Sequence, residues 1–306
     1  METKRLVNRP KTKPASIGDK TFDLVNCIIL VAVLFLTAYP LYYVLNASVS
    51  DPFKVYAGET MLYPVGFSWS GYGRIFQDPM IVKGYMNSMV YTIAGTIVSV
   101  LLTCVSGYAL SKRTLPGRRW IMIFLLFTMY FNGGLIPTYL TVRNVGLFNT
   151  MWALIIPNAI SVYNLIIART FFESNIPDSL TEAASIDGSS NIGTMVRIVM
   201  PLSTPIIAVM IVFYAVGLWN NWFDALIYTT KSNMAPLQLV LRSILIKSQA
   251  SSDMMTGMDA NYAEKQKATE MIKFASIVVA SVPMLIVYPF VQKYFSKGIM
   301  IGAIKG

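Results

Sequence analysis

The sequence predicts an all-α integral membrane protein with six transmembrane helices. Of its 306 residues, 55% are hydrophobic and only 13% are charged, whereas soluble domains carry about 25% charged residues. Six long stretches contain no Asp, Glu, Lys or Arg, and each is close to or longer than the roughly 20 apolar residues that a helix needs to cross a bilayer. None of the six alternates in polarity, which argues against the tilted strands of a β-barrel.

The six predicted spans follow one another along the chain. They cover residues 24–50, 84–111, 120–142, 144–168, 198–223 and 274–292. Basic residues precede the first span, as in a signal peptide, but its apolar stretch is longer than the roughly 7–15 residues of a signal core. It is therefore interpreted as an uncleaved span. In span five, Pro201 is expected to disfavour helix at Met200, and Pro205 is expected to kink the span.

Lys and Arg predict the orientation of these spans. The loop between spans two and three holds Lys112, Arg113, Arg118 and Arg119, whereas the loop between spans three and four holds Arg143 alone. Since basic residues collect in short cytoplasmic loops, both termini are predicted to be cytoplasmic. The predicted organisation is a cytoplasmic N-terminal tail 1–23, a membrane domain 24–292 with outer loops 46–83 and 224–273, a short helix 237–247 within the second loop, and a cytoplasmic C-terminal tail 293–306.

The composition argues against several classes of function. The net charge of +10 fits basic loops beside anionic lipid, so the lipid bilayer is the expected partner and nucleic acid is not. The chain has no histidine, which removes the commonest general base and metal ligand. Cys27 and Cys104 lie in apolar stretches, and no cluster of cysteines and carboxylates has metal-ligand spacing. We therefore expect no catalytic residue, no metal site and no enzyme activity on this chain.

The segment 173–200, between spans four and five, contains a predicted short helix. Ser179 and Glu182 match a capping box, Pro177 disfavours helix at the residue before it, and Gly188 suits a left-handed helix end. These signals predict a helix over residues 179–187. A helix of this length is marginal alone and needs a surface to dock on.

One face of this predicted helix is suited to a partner. Leu180, Ala183, Ala184 and Asp187 recur at the spacing i, i+3, i+4, i+7. The two alanines permit close approach of another protein's backbone. The alternative is an amphipathic linker without a partner, and the residues alone leave both interpretations open.

The spacing within this segment resembles a known signature. Glu182-Ala183-Ala184, three residues, Gly188, nine residues and a hydrophobic stretch closed by Pro201 are similar to the EAA signature of ABC importer permeases, although Met200 stands where that family often has leucine. Three further motifs extend the resemblance over the chain: FNGGLIPT at 131–138, GLFNT at 146–150 and KGIMIGAIKG at 297–306. Together they resemble the maltose-type carbohydrate permeases, and among these the aldouronate and complex-oligosaccharide group.

This resemblance implies a type I ABC importer permease fold in the cytoplasmic (inner) membrane of a bacterium. The helix would be a coupling helix that contacts a cytoplasmic ATPase, through Leu180, Glu182, Ala183, Ala184, Asp187 and Gly188. The C-terminal tail would also lie against the ATPases, through Lys297, Gly298 and Gly302. Two ATPase subunits would bind ATP and Mg²⁺, so no cofactor is expected on this chain, which has no GxxxxGK[ST] phosphate loop. A second homologous permease and an extracytoplasmic sugar-binding protein would complete an oligosaccharide importer.

Amides and aromatic side chains mark a candidate substrate path, because sugars bind to aromatic faces and planar amides. The candidates lie in span four and at the outer end of span five: Asn158, Tyr163, Asn164, Trp219, Asn220 and Asn221. The alternatives are an interfacial aromatic belt at the end of span five and hydrogen bonds between helices in span four. The resemblance also implies that the sugar contacts mainly the other permease.

The sequence leaves three alternative functions to compare with an importer. An ion-coupled secondary transporter of a polar solute usually places ionisable residues within its spans and carries paired broken segments, and neither is evident in the sequence. A channel is disfavoured because no filter sequence such as TVGYG is present. A scaffold or receptor without transport activity remains a third alternative, which transport assays with and without ATP would separate from an importer.

Overall fold

The computed structural model describes residues 17–253, 272–289 and 292, and no described residue forms a strand. Contacts divide the chain into two compact units, Met1–Phe67 and Ser68–Gly306. The all-α prediction is confirmed for the described residues. The predicted tail 1–23 lies largely outside them, and the predicted tail 293–306 lies outside them entirely.

The first unit consists of one long helix and a short capped turn. Helix α1, Ile17–Ser48, has 32 residues, and its side chains from 17 to 42 are all exposed. A helix that is apolar all round and this exposed is suited to lipid. Helix α2, Pro52–Tyr56, starts at Asp51, whose carboxylate accepts a hydrogen bond from the amide of Phe53 at 2.9 Å.

The second unit is built around one long helix. It begins with α3, Ser70–Gln77, and α4, Pro79–Ser111, and α4 packs against three later helices. Small residues on α4 permit this packing, as is common between membrane helices. At Gly107, an added Cβ would lie 3.1 Å from the Cβ of Ala168 and 3.2 Å from the amide nitrogen of Arg169. Buried Cys104 lies one turn earlier, in the main hydrophobic cluster.

Three of the six predicted spans are broken helices. Helices α5, Arg118–Tyr130, and α6, Leu135–Asn144, meet at 116°. The helical segment Trp152–Asn158, which starts as α7, Trp152–Ile155, meets α8, Val162–Asn175, at 53°. The described residues therefore contain three continuous helices long enough to span, or six spans if each bent pair counts as one. The breaks in spans three and four were not predicted, and glycines and prolines lie inside these charge-free stretches.

The third break lies in span five. The segment Asn191–Leu202 meets α12, Thr204–Trp219, at 83°, which confirms the kink expected beside Pro205. The prediction for Met200 was wrong, since it has helical dihedrals of −61° and −43°. Its segment comprises α10, Asn191–Thr194, a π-helical turn and α11, Met200–Leu202. The bias imposed by Pro201 is therefore overridden, and the helix ends three residues later, at Ser203.

The remaining helices follow α12 along the chain. They are α13, Phe223–Tyr228; α14, Leu237–Asp253; and α15, Ile272–Pro289. Helix α14 starts where the short helix 237–247 was predicted and extends further. Together with α4 and α12, it buries Trp219, Leu237 and Ala280 in a second hydrophobic cluster. Helix α9, Asp178–Ile186, lies between α8 and α10.

Candidate functional site

Helix α9 begins differently from the predicted helix. It starts at Asp178, so Ser179 lies inside the first turn, and the N-cap residue is Pro177. No side chain caps the helix, and the predicted capping box between Ser179 and Glu182 is wrong. Pro177 fixes an extended backbone that lets the helix start immediately after it. The carboxylate of Asp178 then lies in the first turn, where negative charge interacts favourably with the helix dipole.

The end of α9 is as predicted. Gly188 has a φ of +75°, a left-handed conformation that glycine adopts without a steric penalty. Its amide donates to the carbonyl of Ser185 at 3.1 Å, and the amide of Ser189 donates to the carbonyl of Ala184 at 2.9 Å. The chain therefore reverses sharply here.

The structure divides the face that was predicted to meet a partner. Leu180 packs against the main hydrophobic cluster of the chain itself, and Ala184 is only 5% exposed. Ala183 and Asp187 are exposed. The buried side of the helix passes through Ala184, about 100° around the axis from Ala183, and Asp187 is the C-cap residue beyond the last turn.

A different set of residues forms the exposed side of α9. These residues recur at the helical spacing i, i+3, i+4, i+7, and all of them are exposed: Ser179, Glu182, Ala183 and Ile186. We call this set the exposed α9 face. Ile186, which is 86% exposed, is its one large apolar side chain. The same helical spacing in the sequence fits this set, but the set that begins one residue later, at Leu180, is more apolar and was therefore the predicted contact.

A lysine fixes α9 to the end of α4. The Nζ atom of Lys112 donates to the Oγ1 atom of Thr181 at 3.0 Å, and it lies 5.0 Å from the ring centroid of Tyr108. The exposed α9 face is thus presented on a helix that is held from behind by a polar contact and by the packing of Leu180. From the sequence, Lys112 predicts only that its loop is cytoplasmic, and its contact with α9 was not predicted.

Glu173 joins two further helices at the same end. Its carboxylate accepts from Arg118 of α5 at 2.8 Å and from Arg169 of α8 at 3.0 Å. All three side chains are at most about a third exposed, so water only partly screens these ion pairs. The spacing of four residues between Arg169 and Glu173 is the sequence signal that indicates this contact.

The opposite end of α12, roughly 24 Å away at 1.5 Å per residue, carries a polar cleft. The Oδ2 atom of Asp224 accepts from the Nδ2 atoms of Asn158 at 2.6 Å and Asn221 at 2.7 Å. The cleft has a volume of about 420 Å³, and we call it the Asp224 cleft. Its polar lining is supplied by Asn158, Ser161, Asn164, Tyr214, Asn221 and Asp224.

Tyr214 connects this cleft to the break in span four. The amide of Ser161 donates to the Tyr214 hydroxyl at 3.1 Å, and that hydroxyl lies 2.6 Å from the Oγ1 atom of Thr103. Because the phenolic oxygen accepts from Ser161, its own proton is available to Thr103. One side chain of α12 thereby stabilises a backbone amide that the break removes from the helical pattern.

The predicted substrate-path residues are distributed over several environments. Asn158, Asn164 and Asn221 are brought together in the Asp224 cleft. Trp219 is 2% exposed and donates its Nε1 hydrogen to the carbonyl of Ala280 at 3.0 Å, which makes it a core residue. The two others, Tyr163 and Asn220, do not line the cleft. Asp224 was not predicted as a site residue, because the charge-free span 198–223 ends just before it and Asp224 falls in the predicted outer loop 224–273.

A second, larger cavity lies on the other side of the turn that follows α12. It has a volume of about 720 Å³ and lies between α12, α14 and α15; we call it the Arg242 cavity. Its polar and aromatic lining includes Asn220, Trp222, Gln238, Arg242, Lys273 and Ser276. The guanidinium carbon of Arg242 lies 3.6 Å from the ring centroid of Trp222, which is the geometry of a stacked cation–π contact.

Of the residues for which the resemblance implied contact with an ATPase, those of the C-terminal tail cannot be placed. Lys297, Gly298 and Gly302 lie outside the described residues.

The chain is similar to known transport proteins. Residues 109–301 match the family described as binding-protein-dependent transport system inner membrane component. The chain is 40% identical over 288 residues to the polygalacturonan/rhamnogalacturonan transport system permease protein YtcP of Bacillus subtilis (strain 168), covering 94% of this chain and 99% of that protein. It is also 40% identical to the protein LplC of the same organism, covering 94% and 96% of the two chains.

A solved structure has the same fold. It is a chain of a bacterial ABC transporter involved in the import of the acidic polysaccharide alginate, with a TM-score of 0.84 and 32% sequence identity. The match covers 93% of the present chain and 100% of that chain.

Proposed function

This chain belongs to the family of binding-protein-dependent transport system inner membrane components, and from that premise we propose that it forms half of the translocation pathway for an oligosaccharide in an ATP-driven importer. The observation that carries the proposal is the match over nearly the whole chain to a sugar permease and to the alginate transporter chain. A permease is a transporter and not an enzyme. In this proposal, ATP and Mg²⁺ are bound by two separate cytoplasmic ATPase subunits.

The exposed α9 face is the proposed contact with the ATPase. Ile186 is 86% exposed, and a large apolar side chain can anchor an interface when a pocket of the partner buries it. Lys112 and Leu180 hold the other side of α9 against the permease. A push on α9 is therefore passed to α4 and α8. The C-terminal tail, with Lys297, Gly298 and Gly302, is proposed as a second contact.

The Asp224 cleft is the proposed sugar-contacting surface of this subunit. Asp224, Asn158 and Asn164 supply acceptors and donors that suit sugar hydroxyl groups. The cleft lies at the end of α12 remote from α9, where an extracytoplasmic sugar-binding protein would deliver its ligand. A second, homologous permease would supply the other wall of the pathway. Both chain termini are proposed to be cytoplasmic, in the inner membrane of a bacterium.

Reconstitution tests this function. The complete importer, purified through a tag on this chain and placed in lipid vesicles, is expected to take up a labelled oligosaccharide only when ATP, the ATPase and the binding protein are all present. This chain alone is expected neither to hydrolyse ATP nor to move sugar. Accumulation of sugar by this chain alone, driven by an ion gradient, would instead support a secondary transporter.

A further inference from the structure

The turn that follows α12 separates two cavities of opposite charge. Asn221 and Asp224 of this turn line the Asp224 cleft, whereas Asn220 and Trp222 line the Arg242 cavity. The first cavity presents a carboxylate, and the second presents two cations, Arg242 and Lys273. An anionic group is repelled by the first cavity and attracted by the second.

The guanidinium of Arg242 is held flat but remains available. It is stacked on Trp222 at 3.6 Å, and stacking uses the face of the guanidinium while leaving the N–H groups at its edge free to bond. Between residues that the structure describes, the ion pairs are those of Glu173 with Arg118 and Arg169, and no described carboxylate pairs with Arg242. Arg242 is also exposed, so a ligand can reach it.

The dimensions of the cavity fit a carbohydrate ligand. Its volume of about 720 Å³ lies within the roughly 300–1,000 Å³ of typical ligand sites. Gln238 and Asn220 add amide groups beside the stacked arginine. A planar, fixed guanidinium matches the two oxygens of a carboxylate. Lys273 contributes a second positive charge to the same cavity.

We propose that the Arg242 cavity is a carboxylate-binding site for the uronic-acid units of an acidic oligosaccharide, with Arg242 as the residue that determines specificity. This rests on the proposed function, because it assigns a site for part of the transported sugar. The Asp224 cleft then receives hydroxyl groups and the Arg242 cavity receives acid groups. The proposed ligand is thus the carboxylate of a sugar and not the phosphate of a lipid headgroup.

The test compares an acidic sugar with its neutral counterpart in the complete importer. The probes are labelled trigalacturonate and its fully methylated ester, and the measured quantity is the ratio of their ATP-dependent uptake rates. The binding protein is identical in every sample, so its own preference cancels when variants are compared with the wild type. Arg242→Gln is expected to lower the acid-to-ester ratio about tenfold, because a hydrogen-bonded charge pair is lost. Arg242→Lys, which keeps the charge without the fork, is expected to give an intermediate ratio.

Arg143→Gln is the matched control. Arg143 is exposed at the end of α6, is predicted to lie on the same side of the membrane and lines neither cavity. Its variant is expected to leave the ratio unchanged. An equal fall in the uptake of both sugars for Arg242→Gln would assign Arg242 a packing role with Trp222 and overturn the proposal, as would an unchanged ratio.

Two further results also decide the question. Vesicles with and without phosphatidylglycerol separate a sugar site from a headgroup site: if Arg242→Gln abolishes only a dependence on that lipid, the site binds lipid and the proposal is wrong. If the wild type takes up the ester but not the acid, this inference fails while the proposed function stands. If the intact wild-type complex takes up neither sugar, both fall.

Discussion

At the scale of single residues, Ile186 and Ala184 show how one short helix separates two tasks. Ile186 is 86% exposed, whereas Ala184, two residues before it, is 5% exposed against the chain's own core. The first side chain is available to a partner, and the second maintains the position of the helix. Substitutions at the two positions should therefore have different consequences.

We predict that Ile186→Asp weakens binding of the ATPase without unfolding the permease. Loss of a buried isoleucine from an interface removes about 1.5–3 kcal/mol, which corresponds to a tenfold or larger fall in affinity. Co-purification of the ATPase in detergent measures the loss, and the thermal unfolding of the permease alone should not change. In contrast, Ala184→Trp should overpack the core and lower the free energy of unfolding by about 1–3 kcal/mol. Full co-purification by Ile186→Asp would show that the exposed α9 face is not the contact.

At the scale of helices, the unit is held together by the close approach of α4 and α8. Gly107 faces the backbone of α8 at Ala168 and Arg169, so closely that a methyl group would fit only if α8 moved by a few tenths of an ångström. In lipid, helices associate through such van der Waals packing and not through a hydrophobic driving force between them. The distance between α4 and α8 therefore depends on the absence of a side chain at Gly107.

We predict that Gly107→Ala separates α4 from α8 and lowers the thermal stability of the protein. The added methyl group would lie 3.1 Å from the Cβ of Ala168 and 3.2 Å from the amide nitrogen of Arg169, and such overpacking costs about 1–3 kcal/mol. Gly217→Ala is the control, because an added Cβ there meets nothing within 4 Å. Thermal unfolding of both variants in detergent checks the difference. Equal melting temperatures for the two variants would contradict the packing argument.

At the scale of the molecule, the distribution of basic residues predicts which end of α12 faces the cytoplasm. The end near α9 carries Lys112, and there Arg118 and Arg169 both pair with one acid, Glu173. The other end holds Asp224, whose carboxylate accepts from Asn158 and Asn221, together with the cations Arg242 and Lys273 of the Arg242 cavity. The excess of basic residues at the α9 end is what predicts a cytoplasmic location.

We predict the following labelling pattern for this orientation. After replacement of Cys27 and Cys104, a cysteine at the exposed position Ile192 should be protected from an impermeant thiol reagent in intact cells and should react after the cells are opened. A cysteine at the exposed position Thr230 should react in intact cells. Both parent residues are exposed, so accessibility within the protein does not bias the comparison. The reverse pattern would invert the topology.

Sequence reasoning located most of the fold because lipid excludes charge. The charge-free stretches overlap the described helices, and α9 ends before Gly188 as expected. The breaks in spans three and four were not predicted because a bend needs no charge, as the turn around Gly134 with its φ of +92° shows. Asp224 was not predicted as a site residue for a related reason: a predicted span ends at the first charged residue, so it cannot include Asp224. Trp219 was misassigned because an indole that binds sugar and one that donates to a buried carbonyl have the same sequence signal.

The hydrogen bond from Ser161 to Tyr214 makes α8 a lever. Its first turn is pinned to α12 through this bond, and its far end leads directly into α9 through Ile176, which is buried in the main cluster. Fourteen residues give an arm of about 21 Å. A tilt of about 5° about the pin moves the α9 end by roughly 2 Å. By its length alone, α8 would turn a small rotation beside the Asp224 cleft into a displacement as large as an atom at its opposite end.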